Sequence, residues 1–262
     1  MKIKIYISTL IAFCLSITLR AQDKELFERE TFISDGDTLL YRILYPENFD
    51  RDKTYPLVLF LHGAGERGND NKKQLVHGSS LFLQEENREK YPAVVVFPQC
   101  PKEDYWSNVS VTRNEAGKRS FDFSPEGPPT KAMQLVLSMM DSLKQLATTD
   151  QSRIYMAGLS MGGMGTFEIV KRRPKLFAAA MPICGGGNPD DASLYADQVA
   201  FWIFHGAKDD IVDPAHSEKM YQALRAEGAN VKFSLYPEAN HNSWDPAFAE
   251  PEFMSWLFSK SK

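Results

Sequence analysis

Short, almost wholly apolar stretches recur along the chain from residue 56 onward. They lie at residues 56–61, 93–97, 153–157, 177–183, 199–204 and 231–236. These runs lack the polar–apolar alternation of a strand with one face in solvent. They therefore predict strands that are buried on both faces, as in a parallel sheet.

The segments around these runs have a different pattern. Residues 25–33 and 37–46 alternate polar and apolar positions about a turn, Ser34-Asp35-Gly36-Asp37, which predicts a β-hairpin. Residues 131–147 place apolar side chains three and four positions apart, which predicts an amphipathic helix. Residues 215–227 and 247–259 repeat that spacing. Strands that alternate with helices predict an α/β fold with a mostly parallel sheet, whose ligands bind at the carboxyl ends of the strands.

The first 21 residues have the layout of a secretory signal peptide. Lys2 and Lys4 precede an uncharged apolar stretch over residues 5–19, and Ala21 offers a small residue before a cut at Gln22. The stretch is shorter than the roughly 20 residues of a membrane span. We therefore expect a leader over residues 1–21, one domain over residues 22–262, and a periplasmic or extracellular protein without stable membrane insertion. An uncleaved membrane anchor is the alternative.

Composition excludes several classes of protein. Apolar residues make up 43% of the 262-residue chain, which is typical of a globular protein, and three cysteines exclude a disulfide-dense miniprotein. The 30 basic residues against 34 acidic residues give a net charge of −4, which argues against nucleic acid as a partner. A mean hydropathy of −0.34 excludes a polytopic membrane protein.

Residues 158–162, GLSMG, match the pattern G-x-S-x-G between a predicted strand and a helix predicted from Gly163 to about Arg172. In that context a sharp turn lifts the hydroxyl of Ser160 clear of the sheet. The flanking glycines let neighbouring backbone pass, and the N–H of Met161 points to where an oxyanion would form. The motif predicts Ser160 as a nucleophile.

A serine nucleophile needs a base, and the chain has five histidines. His62 and His205 each end a strand before a glycine, a position that usually serves the strand end, while His77 and His216 lie in helical or polar stretches typical of the surface. His241 lies in the loop after the last predicted strand, where the base belongs. We therefore predict His241 as the general base.

The acid that orients the base should follow the strand before that loop. Asp209, Asp210 and Asp213 all lie there, and the residues themselves leave the choice among them open. Their place between Ser160 and His241 gives the serine–acid–histidine order of the α/β hydrolases.

A second oxyanion donor is expected from the glycine-rich segment after the first buried strand. Residues 62–68, HGAGERG, hold three glycines, and the N–H of Ala64 could pair with that of Met161. A phosphate-binding loop is the alternative, but the Lys-Ser or Lys-Thr pair of a P-loop is missing.

The segments LFLHGAGERG, GLSMGGMG, PICGGG and FHGAKDDIVDP together resemble the α/β-hydrolase superfamily. They are similar to one branch of it, the secreted bacterial esterases that include polyhydroxybutyrate-depolymerase-like, feruloyl and acetyl-xylan esterases. The resemblance implies an eight-stranded, mostly parallel sheet with helices on both faces. It selects Asp209 over Asp210 as the acid, and it implies Ala64 and Met161 as oxyanion donors with no metal or organic cofactor.

The strand order of that family would place Cys100 and Cys184 three strands apart, roughly 14 Å, which is too far for a disulfide.

The short segment over residues 185–198 leaves no room for a helical cap. Residues 101–130 form a long connection without clear periodicity, and Tyr105, Trp106, Phe121 and Phe123 within it could either wall a pocket or anchor the loop. Gln99, Trp106 and Trp244 are the candidate substrate contacts.

These features predict a secreted serine carboxylic-ester hydrolase. Its substrate would be a small-molecule or polysaccharide-linked ester, with feruloyl or acetyl esters of plant polysaccharides as the sharper prediction. A serine peptidase of the prolyl-oligopeptidase type shares the triad order and is the first alternative, although such enzymes usually add a large gating domain. A non-catalytic binding protein on the same fold is the second, but such proteins typically lose the serine or the histidine.

Overall fold

The computed structural model describes residues 24–115, 117, 119–123 and 126–262. The predicted leader, residues 1–21, lies outside the described residues. Within the described ranges, no helix has the length and apolar character needed to cross a membrane.

Eight strands form one sheet, with strand order β1-β2-β4-β3-β7-β8-β9-β10. The strands of this sheet are β1 (Glu28–Ser34), β2 (Asp37–Leu44), β3 (Tyr55–Leu61), β4 (Val94–Pro98), β7 (Thr149–Leu159), β8 (Ala179–Ile183), β9 (Ala200–Gly206) and β10 (Val231–Tyr236). All neighbours are parallel except β1 with β2 and β2 with β4. The sheet confirms the predicted mostly parallel, eight-stranded architecture with an antiparallel hairpin at its N-terminal edge.

The predicted hairpin turn is present at the expected residues. Ser34 pairs with Asp37, which leaves a two-residue turn in which Asp35 has φ +52° and Gly36 has φ +83°. A type I′ turn needs positive φ at both central residues, and its twist matches that of the strands it joins. Aspartate and glycine therefore fix the register of β1 against β2.

The chain also forms seven α-helices in the described ranges. They are α1 (Ser79–Leu83), α2 (Glu85–Lys90), α3 (Lys131–Lys144), α4 (Met161–Arg172), α5 (Ala215–Ala226), α6 (Trp244–Phe248) and α7 (Phe253–Phe258). The helix predicted over residues 247–259 is instead two short helices. Pro251 lies between them, where it lacks an N–H and its ring would clash with the preceding turn of a continuous helix.

The sheet separates two hydrophobic clusters, one on each face. In β3, Leu57, Leu59 and Leu61 belong to the cluster that includes α3 and α4, whereas Val58 and Phe60 belong to the cluster that includes α1 and α7. Every residue of β3 is buried. Burial on both faces explains why this strand has no polar positions, and it confirms the predicted helices on both sides of the sheet.

Residues 101–130 contain a second sheet that the sequence did not predict. Strands β5 (Ser110–Arg113) and β6 (Arg119–Asp122) form an antiparallel pair that is solvent-exposed except for Phe121. Because both strands lack an apolar face, they leave no strand pattern in the sequence. Phe121 packs with Met164 of α4 and with Val212, and this contact anchors the hairpin beside the carboxyl ends of the central strands.

The segment between β8 and β9 contains only a short 3-10 helix, Pro189–Leu194, as expected for a fold without a large cap. Cys100 follows β4 and Cys184 follows β8, which lie three positions apart in the sheet order. Both cysteines are buried and free.

Candidate active site

Ser160 occupies a one-residue turn between β7 and α4. Its φ of +53° and ψ of −117° place a non-glycine residue in a sparsely populated region of backbone space. The turn is held on both sides, because the Ser160 N–H donates to the Ile183 carbonyl at 2.8 Å and its own carbonyl accepts from the Met164 N–H at 3.0 Å. The side chain stands at the carboxyl end of the central strand, half-exposed.

The two glycines of the motif are required by close backbone approach. A Cβ at Gly162 would lie 1.9 Å from the Leu61 carbonyl oxygen, and one at Gly158 would lie 2.3 Å from the Gly162 carbonyl oxygen. Carbon atoms do not approach oxygen this closely. The first turn of α4 can therefore pack against the end of β3 only if these positions lack side chains.

His241 connects Ser160 to Asp209 through two hydrogen bonds. The Ser160 Oγ is 2.9 Å from His241 Nε2, and His241 Nδ1 is 2.8 Å from Asp209 Oδ2. The carboxylate can only accept, so Nδ1 carries a proton and Nε2 is left to accept from the Ser160 hydroxyl. The structure therefore brings His241 together with Ser160 and Asp209, which lie 81 and 32 residues before it in the chain.

Asp209 is the acid that faces His241, whereas Asp210 and Asp213 are exposed. Asp213 Oδ1 accepts from the Ala215 N–H at the start of α5, which is a capping contact. Burial by itself would raise the pKa of the Asp209 carboxyl. Hydrogen bonds from His205, His241 and the Val212 N–H outweigh burial and hold this pKa well below its usual range. Asp209 is therefore anionic at neutral pH.

Two backbone N–H groups next to Ser160 have no partner inside their own helices. Met161 is the first residue of α4, and Ala64 is the first residue of a 3-10 helix, Ala64–Glu66. The two segments adjoin, because a Cβ at Gly63 would lie 3.7 Å from Ser160 Cβ. The positive end of the α4 dipole also faces this place. The arrangement suits a developing negative charge on oxygen.

Gln99 and Trp106, two of the predicted substrate contacts, are each held by hydrogen bonds within the protein. The Gln99 amide donates to the Glu66 carbonyl and to Asp70 Oδ1, and accepts from the Asn71 N–H, so it braces the loop after β3. Trp106 is fully buried, and its Nε1–H donates to the His62 carbonyl at 3.1 Å. The structure thus places Trp106 as an anchor of its loop, one of the two roles that the sequence left open for this residue.

Trp244 remains a candidate substrate contact. It is half-buried, and its ring meets that of His241 edge-on with centroids 5.5 Å apart. The centroid of the His77 ring lies 5.0 Å from that of the Trp244 ring, and His77 Nε2 is 3.8 Å from Glu66 Oε1. His77 is therefore part of the rim of the site rather than the free surface residue that the sequence suggested.

His62 braces the loop that carries Ala64. Its Nδ1 donates to the Gly63 carbonyl at 2.7 Å, and its Nε2 accepts from the Cys100 N–H at 3.0 Å. Burial lowers the pKa of this imidazole to about 4. Both nitrogens are used within the protein, so His62 is neutral and unavailable as a base.

Sequence reasoning missed the groups on the far side of Asp209. His205 Nε2 is 3.1 Å from Asp209 Oδ2, and His205 Nδ1 is 2.7 Å from Ser217 Oγ. The only signal in the sequence is a histidine four residues before the acid. Ser217 gives no signal, because it lies on a separate helix.

Cys184, Asp209 and His241 also place three potential metal-ligand atoms within 4.8 Å of one another. A metal would need the thiolate form of Cys184. Burial raises the pKa of this thiol far above neutral, and Asp209 and His241 are hydrogen-bonded to each other. The donor set therefore does not favour a metal.

The sheet order and the strained serine turn between β7 and α4 are those of an α/β hydrolase. The chain belongs to the dienelactone hydrolase family, whose model matches residues 107–253. This result confirms the α/β-hydrolase resemblance and its esterase branch.

The relatives include esterases and a peptidase. A bifunctional acetylxylan esterase/xylanase from Neocallimastix patriciarum is 29% identical over 158 residues, 60% of this chain and 20% of that protein. The crystal structure of a thermostable esterase superposes with a TM-score of 0.81 at 34% identity, covering 92% of this chain and 64% of that chain. A dipeptidyl-peptidase 5 from Porphyromonas endodontalis is 21% identical over 86% of this chain and 36% of that protein. The chain thus spans only part of the length of these relatives.

Proposed function

We propose that the protein is a secreted serine carboxylic-ester hydrolase that uses Ser160, His241 and Asp209 through an acyl-enzyme. The observation that carries the proposal is the unbroken chain of hydrogen bonds from Ser160 Oγ through His241 to Asp209 Oδ2, at 2.9 and 2.8 Å. Membership of the dienelactone hydrolase family supports the same reaction.

Each residue has a distinct step. Ser160 Oγ attacks the ester carbonyl while its proton passes to His241 Nε2, and the tetrahedral oxyanion forms between the N–H groups of Ala64 and Met161. His241 then gives the proton to the leaving alcohol, which departs as the acyl-enzyme forms. Water repeats the sequence and releases the acid. Asp209 holds the proton of His241 on Nδ1 and stabilises the imidazolium. Losing one oxyanion donor typically costs about 3–4 kcal/mol of barrier.

The proposed substrates are esters on plant polysaccharides, acetyl or feruloyl. The acetylxylan esterase among the relatives supports the acetyl group. The ring of Trp244 beside His241 supports an aromatic acyl group, because an indole offers a planar, largely apolar face next to the proposed base. The short connection between β8 and β9 supports a polymer-bound substrate, because the described residues 184–199 contain one short 3-10 helix and no helical cap.

Export is the remaining part of the proposal. The basic residues Lys2 and Lys4, the apolar stretch and Ala21 support a leader over residues 1–21 and a mature domain over residues 22–262. A polysaccharide substrate would be reached in the periplasm or the medium.

The test compares the mature chain with its Ser160→Ala variant. Initial rates are measured on p-nitrophenyl acetate, methyl ferulate and a prolyl-peptide amide, with circular dichroism to show that both proteins are folded. We expect ester cleavage by the parent chain and a loss of at least about 10³-fold in the variant. The ratio of acetate to ferulate rates then defines the acyl group. Equal rates for the folded variant would exclude Ser160 as nucleophile.

A peptidase is the second candidate, favoured by the Porphyromonas endodontalis relative. Amide cleavage that exceeds ester cleavage and disappears in Ser160→Ala would establish it in place of the esterase. No turnover of any of the three substrates by the folded parent chain would contradict both.

A further inference from the structure

Asp209 receives hydrogen bonds from two imidazoles on the same carboxylate oxygen. His241 Nδ1 lies 2.8 Å and His205 Nε2 lies 3.1 Å from Oδ2, while Oδ1 accepts the N–H groups of Ile211 and Val212 at 2.9 Å each. His205 is fully buried at the end of β9. The contact with His241 is sufficient to orient that ring. The contact with His205 is therefore an additional hydrogen bond to the acid.

The surroundings of His205 decide which of its nitrogens carries a proton. Nε2 faces two acceptors, Asp209 Oδ2 and the Val212 carbonyl at 3.0 Å, so it must donate. Nδ1 lies 2.7 Å from Ser217 Oγ, whose other neighbour is the Gly185 carbonyl at 3.3 Å. The nearer partner of the hydroxyl is therefore Nδ1, which accepts its proton when the ring is neutral.

We propose that His205 and Ser217 form a positioning pair for the acid, an inference that rests on the proposed function of Asp209. Ser217 donates to Nδ1 and so favours the tautomer with its proton on Nε2. His205 donates that proton to Asp209 and fixes the carboxylate plane without cancelling its charge. A cationic ring would neutralise Asp209, and the imidazolium formed on His241 during the reaction would lose its counter-charge.

Loss of the His205 contact should shift the pH profile of kcat/KM in one direction. The His205 N–H takes up part of the negative charge of Asp209. Without it, more of that charge faces His241, protonated His241 is favoured, and the acid limb of kcat/KM moves to higher pH. The carboxylate is also less well held, so kcat falls while KM stays the same. The other titratable groups around the pair are the Cys184 thiol, close to Asp209, and His216, next to Ser217 on α5.

The experiment compares four variants of the mature chain on p-nitrophenyl acetate across pH. His205→Leu removes the donor, His205→Gln places an amide N–H near the position of Nε2, and Ser217→Ala removes the contact to Nδ1. His216→Gln is the matched control, because it changes a neighbouring histidine that does not touch Asp209. Circular dichroism and thermal unfolding establish that each variant is folded.

We expect His205→Leu to lower kcat by about tenfold to a hundredfold, the range for one hydrogen bond to a charged group, with KM within about twofold. The acid limb of kcat/KM in His205→Leu should move to higher pH. His205→Gln should recover most of the kcat and most of the shift in the acid limb, and Ser217→Ala should lie between His205→Leu and the parent chain. His216→Gln should match the parent chain. A role in packing alone would lower stability without moving the acid limb.

Unchanged kcat and pH profile in folded His205→Leu would overturn the inference, and so would a failure of Gln to rescue. If His205→Leu does not fold, Ser217→Ala decides, because parent-like kcat in that variant overturns it as well. Labelling of Ser160 by a fluorophosphonate separates this result from the proposed function. A parent chain that is labelled but cleaves no ester loses the esterase proposal, while the labelling rates of the variants still test the positioning pair.

Discussion

His62 shows how a buried ionisable side chain at the site couples folding to pH. The imidazole uses both ring nitrogens on backbone groups, and burial lowers its pKa from 6.5 to about 4. The unfolded chain therefore binds a proton in the interval between these values that the folded chain does not bind. The contribution of His62 to stability is therefore fully present above pH 6.5 and is lost as the pH falls toward about 4.

We expect this single histidine to account for about 3 kcal/mol of acid destabilisation between pH 6.5 and 4. The measurement is the free energy of unfolding in urea at several pH values. His62→Gln, which cannot titrate, should flatten the slope over this interval even if it lowers stability at pH 7. His77→Gln, at the half-exposed histidine of the rim, serves as control. An equal slope in the parent chain and His62→Gln would contradict the assignment.

The two adjacent acids after β9 differ sharply in environment. Asp209→Asn keeps the shape of the side chain but removes the charge that holds the His241 proton on Nδ1. We expect kcat to fall by about 10³–10⁴-fold with little change in KM. Asp210→Asn is the matched control and should retain parent activity, since Asp210 is exposed. Loss of activity in Asp210→Asn alone would move the role of the acid to that residue.

At the scale of elements, the end of β3 and the start of α4 are fitted to each other. The Leu61 carbonyl approaches Gly162 so closely that the loop with Ala64 and the turn with Ser160 share one fixed geometry. The two N–H groups proposed to face the oxyanion, those of Ala64 and Met161, belong to different elements, and this backbone contact constrains their separation. Loop and nucleophile are thereby positioned together.

Gly162→Ala should therefore disrupt the fold and the site at once. A Cβ 1.9 Å from a carbonyl oxygen must push the helix away from the strand, and we expect a loss of about 3 kcal/mol in the free energy of unfolding. Gly65→Ala is the control, because its Cβ would meet nothing within 4 Å. Chemical denaturation of both variants gives the comparison. Equal stability of the two would show that the contact yields without cost.

The sequence predicts the central elements because their burial is uniform. β3 and β4 are covered on both faces, so their residues are all apolar, and the turn at Asp35-Gly36 has residues that tolerate positive φ. The prediction of elements fails where the pattern of apolar and polar residues does not determine the local structure. The β5–β6 hairpin has no apolar face, and in the segment 247–259 the apolar spacing indicated one helix although Pro251 interrupts it.

The same distinction applies within the site. The local motif G-x-S-x-G predicts Ser160 as the nucleophile, and the position of His241 after the last predicted strand predicts it as the base. By contrast, the burial of Trp106 under the His62 carbonyl and the contact of Ser217 with His205 join distant segments. A single sequence contains no signal for such contacts. The sequence therefore leaves Trp106 as either a pocket wall or a loop anchor, and it does not distinguish Ser217 from other serines.

At the scale of the whole molecule, the predicted leader can be tested directly. We expect chain produced with residues 1–21 to be recovered outside the cytoplasm with Gln22 as its first residue, by intact mass and N-terminal sequencing. Ala21→Tyr places a bulky side chain before the cut and should retain the leader. Recovery of the uncut parent chain in the membrane fraction would instead support an anchor.

The positions of the three site residues along the chain have a consequence for when the enzyme becomes active. Ser160 follows β7, Asp209 follows β9 and His241 follows β10, the strand that completes the sheet at its C-terminal edge. A chain that emerges from a ribosome or a translocation channel with its N-terminus first therefore presents the serine long before its base. In the proposed mechanism, Ser160 would have no base until β10 has paired with β9 and brought His241 into place. The onset of ester cleavage in a refolding or export assay should thus report that β10 has joined the sheet.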